Sequence, residues 1–242
     1  MSRMVVAVVA FLLVCAGAGA AIYILGTPAK GKNTELYQVS RLDNLSQGDY
    51  YAVTTVRDLL NHGSVGMGTF TGMDGEMIMV DGHCYQATVE GKVNEAGAGW
   101  GVPFAQVGYY TEDGTVALAG SLNLSTAQAL IADALPSDQK FYILRIDGEF
   151  DHIKVRSVPV QAEPYPPLAD VIANQTVFEY SGVKGTIVGI WSPAFAAGDS
   201  SPGFHLHFVS ADRAVGGHVL GFEITDEMAG WDEISRYSIE LA

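Results

Sequence analysis

The sequence predicts an α+β protein made of two mixed, mainly antiparallel β-sheet subdomains with few helices. Of its 242 residues, 48% are apolar, 17% are charged and 28 are glycine, which is typical of a folded, turn-rich chain. Asp-Gly and Gly-Gly dipeptides separate apolar or alternating runs, as they do in β-hairpins. Helical spacing of apolar residues is limited to two stretches.

Residues 4–25 form an uncharged apolar segment that follows Arg3 and could span about 30 Å of hydrocarbon as a helix. Small residues around Ala16-Gly17-Ala18 resemble a signal-peptide cleavage site. Two alternatives stay open, a cleaved signal peptide and a retained membrane anchor. In both, the body is exported, so that the protein is secreted, periplasmic or membrane-anchored through residues 4–25. Residues 1–32 comprise this segment and a polar linker.

Two helices are predicted in the first part of the body. Residues 53–63 place apolar side chains at helical spacing, and Gly63 is a natural end. Residues 121–138 predict a helix with Ser125 or Thr126 as N-cap, which ends before Pro136. Hairpin turns are predicted at Asp74-Gly75, Asp81-Gly82, Asp113-Gly114, Asp147-Gly148 and Gly216-Gly217.

The body is predicted to divide near residue 160. Residues 155–175 contain four of the nine prolines, which indicates a crossing between two sheet-based halves. We therefore expect an N-terminal β-rich subdomain at residues 33–160 and a C-terminal β subdomain with a tail at residues 161–242.

Charge and cysteine content exclude some partners and bonds. The formal net charge is −14, which argues against nucleic acid as a partner. Contact with a membrane is expected only through the N-terminal segment. Cys84 is the single cysteine of the body, so an internal disulfide cannot form there.

Three of the six histidines lie in the stretch GFHLHFVSADRAVGGHV, residues 203–219. In a strand, His205 and His207 face one side and the apolar residues between them face the other. The two imidazoles are then about 7 Å apart along the strand. An H-x-H pair alone is more often two ordinary strand histidines than a metal site.

The third histidine favours the metal interpretation. SADRAVGG supplies turn residues, and a hairpin that is symmetric about its loop places His218 opposite His207. All three imidazoles then share one face, as at a catalytic zinc with an open coordination position. This assigns the ion to the C-terminal subdomain.

Two charged residues are candidates to hold an anionic substrate or to move protons beside such an ion. Glu76 follows the Asp74-Gly75 turn, and Arg145 lies in a strongly apolar strand. On pattern alone, a solvated turn carboxylate and a paired edge arginine are the commoner interpretations.

Three motifs together resemble the α-acetolactate decarboxylase family over essentially the whole body. They are GTFTGMDGEM, FYILRIDGEF and GFHLHFVSADRAVGGHVL, in this order. The resemblance implies a carboxy-lyase that binds Zn²⁺, converts 2-acetolactate to acetoin and CO₂, and forms a homodimer. The resemblance also implies that the zinc ligands are His205, His207 and His218. It also implies site roles for Glu76, Thr69 and Arg145, and a tail carboxylate on the zinc, for which Glu240 is the first candidate and Glu233 the second.

The chemistry of this reaction fits the residues. Loss of CO₂ from a β-keto acid leaves an enolate, which a cation on the ketone oxygen stabilises. Acetolactate carries a ketone and a hydroxyl on adjacent carbons, so both oxygens can chelate one zinc. Arg145 can orient the departing carboxylate through its planar fork. The proton donor stays open between Glu76, Arg145 and a zinc-bound water.

Two other functions remain compatible with the sequence. One is another exported zinc enzyme that acts on a small β-keto or hydroxy acid. The other is a non-catalytic, membrane-tethered ligand-binding module, in which the histidines are structural. A facial iron site is disfavoured because it uses two histidines and one carboxylate.

Overall fold

The computed structural model describes residues 24–25 and 34–242. The predicted export segment, residues 4–25, lies outside these residues except for Ile24–Leu25, which form a two-residue strand. Among the described residues, none of the helices has the length and apolar character needed to cross a membrane.

Strands make up most of the described chain. In order they are β1 (Ile24–Leu25), β2 (Glu35–Val39), β3 (Thr54–Thr55), β4 (Val65–Thr69), β5 (Glu76–Val80), β6 (His83–Ala87), β7 (Val93–Glu95), β8 (Gly101–Val102), β9 (Phe104–Gly108), β10 (Gly114–Asn123), β11 (Phe141–Ser157), β12 (Thr176–Ser192), β13 (Gly203–Ser210), β14 (Gly216–Ile234) and β15 (Arg236–Glu240). The helices are α1 (Leu42–Ser46), α2 (Val56–Leu59), α3 (Leu124–Ala134) and α4 (Leu168–Ala173), and 3₁₀ turns lie at Thr71–Met73 and Ala194–Ala196.

The strands form two main sheets. The seven-stranded sheet has the order β15-β2-β9-β4-β5-β6-β7, in which only the β15–β2 pair is parallel. The second, antiparallel sheet has the order β10-β14-β11-β12-β13, with β1 added beside β10. In this long-strand sheet β13 also pairs with β14, so that β14, β11, β12 and β13 close into a ring. The predicted fold class, with two mainly antiparallel sheets and few helices, is confirmed.

The two sheets pack against each other through a shared core. Leu36, Met67 and Ile78 of the seven-stranded sheet belong to the same buried cluster as Ile143 and Val188 of the long-strand sheet. Each side chain of this kind contributes about 1.5–3 kcal/mol when it is fully removed from water. This packing fixes the position of β5 relative to β13 and β14, which carry the candidate site.

The proline-rich segment has a different place from the one predicted. β11 ends at Ser157 and β12 begins at Thr176, and the two pair with each other in the long-strand sheet. Residues 158–175 therefore connect neighbouring strands of one sheet rather than two halves. Both sheets contain strands from either side of residue 160, and the division into subdomains at that residue stays a prediction.

The predicted turn at Asp147-Gly148 is wrong, because both residues lie inside β11. Their pairing with Thr186 and Gly185 of β12 is continuous, and only the pairing with β14 shifts in register here. The continuous pairing with β12 thus outweighs the turn preference of the Asp-Gly dipeptide. Asp81-Gly82, by contrast, has positive φ at both residues and turns β5 into β6, as predicted.

The first predicted helix, residues 53–63, is shorter in the structure. Thr54–Thr55 pair with β8, and the helix is limited to Val56–Leu59. Thr55 is its N-cap and accepts a hydrogen bond from the backbone of Asp58. The β-branched threonines favour the extended conformation that this pairing requires.

The second predicted helix is present as α3, but its N-cap is Asn123 and not Ser125 or Thr126. The Asn123 side chain accepts from the backbone of Thr126, while the Thr126 hydroxyl accepts from the backbone of Asn123. This reciprocal capping box satisfies two N–H groups at the helix start.

Asn123→Ala is expected to lower the free energy of unfolding by about 1 kcal/mol, because one helix N–H loses its partner. Denaturant titration monitored by circular dichroism measures this loss. Ser125→Ala is the matched control, since its hydroxyl donates to the Asn123 side chain and does not cap the backbone. Equal losses in both variants would contradict the assignment of the cap.

Candidate metal centre

The three histidines of residues 203–219 meet in the structure. β13 and β14 form the predicted hairpin, and His207 pairs with His218 directly across it. Nε2 of His205 lies 3.1 Å from Nδ1 of His218. One nitrogen from each of the three rings lies within 4.8 Å of the others, so that the three could hold one metal ion.

The alternation of β13 brings the rings to one face. Leu206 and Phe208 enter the core of the long-strand sheet, which turns His205 and His207 to the opposite side. Gly217, next to His218, has φ +149 and lies so close to β11 that a Cβ would meet the carbonyl oxygen of Arg156 at 2.5 Å. Glycine at this position lets β14 approach β11 and places His218 opposite Arg156 in the β11–β14 register.

His207 is oriented by the other sheet. Its Nδ1–H donates to the carbonyl oxygen of Met77 in β5 at 2.7 Å, which fixes the tautomer with an unprotonated Nε2. Nε2 is buried and has no hydrogen-bond partner within residues 34–242. Because a buried polar atom normally has a partner, this lone pair fits a metal ligand, and the backbone bond on Nδ1 is the usual support for one.

Burial keeps the three histidines neutral. Desolvation, together with the charge of Arg156, lowers the pKa of His205 to about 4. Desolvation also moves the pKa of His207 and of His218 well below its ordinary value, with the neighbouring His205 as a further cause. All three lone pairs are therefore available near neutral pH, as metal binding requires.

A buried ion pair adjoins the histidines. Nη1 of Arg156 donates to Oε1 of Glu76 at 2.6 Å, and Oε2 of Glu76 lies 3.5 Å from Nε2 of His207. Burial raises the pKa of Glu76, and the positive charge of Arg156 acts in the opposite direction. Thr69 pairs with Glu76 in the β4–β5 ladder, and its hydroxyl donates to the carbonyl oxygen of Gly75 at 2.8 Å. Thr69 thus holds the turn before Glu76.

These groups line a small cavity of about 70 Å³. Its polar side consists of Thr69, Glu76, Arg156, His205 and His207, and its apolar side of Leu42, Leu45, Met73, Phe104 and Leu168. The site therefore fits a small substrate that has polar groups on one side and alkyl groups on the other.

Arg145 lies elsewhere. It forms ion pairs with Asp81 at 2.6 Å and with Asp147 at 2.5 Å, and it lines a separate open groove of about 620 Å³. This groove carries charged side chains of both signs and none of the three histidines. Despite its larger volume, it lacks the ligands and the buried acid of the smaller cavity.

Arg156 is the arginine at the site, and the sequence reasoning missed it. Both arginines belong to β11, but their positions differ by an odd number, so the two side chains point to opposite faces of the strand. They are also about 35 Å apart along an extended chain. Counting strand positions from the histidine hairpin across β11 would have identified Arg156, but this requires the strand pairing.

The two candidate tail carboxylates have other partners. The Glu240 carboxylate accepts a hydrogen bond from the hydroxyl of Tyr37, on the neighbouring strand β2. Glu233 forms an ion pair with Lys140 at 3.4 Å. Neither residue is among those that line the cavity of the histidines.

The fold and the site together define a class of protein. They describe a two-sheet β protein with three neutral histidines that could hold a metal ion beside a buried carboxylate and an arginine. Such an arrangement is typical of metal-dependent enzymes that act on small substrates.

Comparisons with known proteins identify the family. The sequence model of the family described as "Alpha-acetolactate decarboxylase" matches residues 36–242. The chain belongs to this family and is an enzyme, as the motifs had indicated. It is 43% identical to an alpha-acetolactate decarboxylase of Methanosarcina mazei, over 85% of this chain and 72% of that protein. It is 36% identical to an alpha-acetolactate decarboxylase of Bacillus licheniformis, over 79% of this chain and 76% of that protein.

A solved structure shares the fold. The crystal structure of alpha-acetolactate decarboxylase from Bacillus subtilis strain 168 matches with a TM-score of 0.83 at 32% identity. The match covers 86% of this chain and 88% of that one.

Proposed function

We propose that this chain decarboxylates 2-acetolactate to acetoin and CO₂, with a zinc ion held by His205, His207 and His218. The main support for this proposal is the buried Nε2 atom of His207. This atom lacks a hydrogen-bond partner in the described chain and lies beside the other two rings. Neutral imidazole nitrogens are typical zinc ligands, and three of them leave a position for substrate. Zinc, when bound, supplies a Lewis acid that stabilises the charge developing on the ketone oxygen.

Arg156 is placed to bind the substrate carboxylate. It lies against Glu76 and lines the cavity together with His205 and His207. Its planar fork has five N–H donors, so it can bind Glu76 and a second carboxylate at once. Arg156 can hold the carboxylate out of the plane of the ketone. The C–C bond to the carboxylate, which breaks in the reaction, then overlaps the π system of the carbonyl group.

Glu76 is placed to supply the proton. Loss of CO₂ breaks one C–C bond and leaves its electron pair as an enolate, which takes one proton on carbon to become acetoin. The Oε2 atom of Glu76 faces His207, and burial raises the pKa of this carboxyl group, while the charge of Arg156 acts in the opposite direction.

Metal removal tests the proposal. The purified full chain is incubated with racemic 2-acetolactate, and acetoin is measured before chelation, after chelation and after zinc is added back. We expect acetoin formation to stop when the metal is removed and to return with one zinc per chain. An unchanged rate in protein that is shown by elemental analysis to be free of metal contradicts the metal centre. Absence of acetoin with folded, zinc-loaded protein contradicts the substrate.

Export through residues 4–25 and assembly as a homodimer are further parts of the proposal. The apolar N-terminal sequence supports export, and the family resemblance alone supports the dimer. Detection of the chain in membrane and culture fractions tests the first, and its sedimentation behaviour tests the second.

A further inference from the structure

The cavity beside the histidines has an apolar wall that the decarboxylation chemistry does not itself require. Leu45, Met73 and Phe104 form its inner part and are buried in the core. Leu42 and Leu168 form its outer part, and each is only partly buried. The outer pair thus lies where the wall approaches the protein surface.

The two outer leucines come from distant parts of the chain. Leu42 is the first residue of α1 and Leu168 the first residue of α4, and the two helices pack against each other. Both side chains contact the cluster that contains Leu45. Together they present one apolar surface opposite the polar side of the cavity.

The backbone holds α1 firmly against the body. The backbone N–H of Leu42 donates to the carbonyl oxygen of Asp199 at 2.9 Å, and that of Asp43 donates to Gly198 at the same distance. The Arg41 side chain also pairs with Asp199. Because α1 is anchored independently of its apolar side chain, shortening Leu42 is expected to leave space in the wall.

The substrate has groups for both sides of the cavity. Its carboxylate, ketone and hydroxyl belong with Arg156 and the histidines, which leaves two alkyl groups to be accommodated elsewhere. Alkyl groups gain free energy only against apolar surface, and the cavity that offers such surface here is small, at about 70 Å³.

We propose that Leu42 and Leu168 determine the length of alkyl group that the enzyme accepts on the carbon that bears the carboxylate. The inference rests on the proposed function and deepens it. The substrate class is a short 2-hydroxy-2-alkyl-3-oxo acid, with methyl preferred over ethyl. One methylene group in an apolar pocket changes the specificity ratio by about 10- to 200-fold.

The test compares kcat/KM for 2-acetolactate with that for its homologue with an ethyl group on the same carbon. We expect Leu42→Ala and Leu168→Ala each to shift the ratio of the two kcat/KM values towards the ethyl substrate by at least about fivefold. This shift is smaller than the full effect of one methylene group on specificity. Leu168→Phe should shift it in the opposite direction. Leu124→Ala is the matched control, because Leu124 also begins a helix and is partly buried but lies outside the cavity.

A binding measurement separates this inference from the proposed function. Calorimetry with the unreactive 2,3-dihydroxy acids, in which an alcohol replaces the ketone, compares the methyl and ethyl forms in each variant. If the wild type makes no acetoin, the proposed function fails, and the alkyl inference is judged from these affinities. Ratios within twofold of wild type in both assays, for all three cavity variants in folded form, would overturn it.

Discussion

His207→Ala is expected to abolish metal binding and, with it, acetoin formation. His207 is 1% exposed, and its Nε2 is the buried lone pair that the centre offers to a metal. Removal of a supporting residue around a metal costs about 10- to 100-fold in affinity, so the loss of a ligand should exceed about 100-fold. Zinc titration by calorimetry and elemental analysis of the purified variant measure this effect.

Thermal unfolding provides a second measurement for the same variant. Zinc at about 100 times its dissociation constant stabilises a protein that binds it only when folded by about 2.7 kcal/mol. The wild type should therefore gain thermal stability when zinc is added, and the variant should not. His152→Ala is the control, because His152 belongs to the same sheet but pairs with Glu179 away from the cavity. A His207→Ala chain that binds one zinc with wild-type affinity would remove this residue from the ligand set.

Arg156→Lys is expected to retain zinc and to lose about 100-fold or more in kcat/KM for acetolactate, as when one preorganised donor is removed from an active site. A lysine side chain presents a point charge in place of a planar fork. It cannot pair with Glu76 and bind a carboxylate with the same geometry.

Arg145→Lys is the matched comparison on the same strand. Arg145 is held by Asp81 and Asp147, so its replacement should leave the rate within about threefold of wild type, in line with the small effects of partly exposed ion pairs. Steady-state kinetics and metal content are measured for both variants. Loss of rate in Arg145→Lys with full activity in Arg156→Lys would reverse the assignment of the two arginines.

The contrast between these arginines shows what the sequence can predict. The hairpin of His205, His207 and His218 is local, so alternation and loop symmetry were enough to predict which imidazoles share a face. Arg156 reaches the site only through the pairing of β11 with β14, and this depends on residues that are far away in the chain. The sequence predicts that Arg156 is charged and lies in a strand, but it does not predict which residues surround it in the fold.

Local competition explains the other differences. Asp147-Gly148 has turn chemistry, yet the hydrogen bonds of β12 keep it extended. Asn123 takes the cap of α3 because its side chain reaches the Thr126 backbone at 3.0 Å, whereas the sequence offered several capping residues in succession. The class of the fold was accessible because turns and apolar alternation are numerous, so single errors do not change it.

The hydrogen bond from His207 to Met77 also couples the site to the docking of the two sheets. It joins two residues 130 positions apart, on strands of different sheets. Such a contact requires the two sheets to dock, and it closes a long loop of the chain. We therefore expect the three histidines that could hold a metal ion to reach their final arrangement only when the two sheets dock, so that the site reports on the contact between the sheets rather than on either sheet alone.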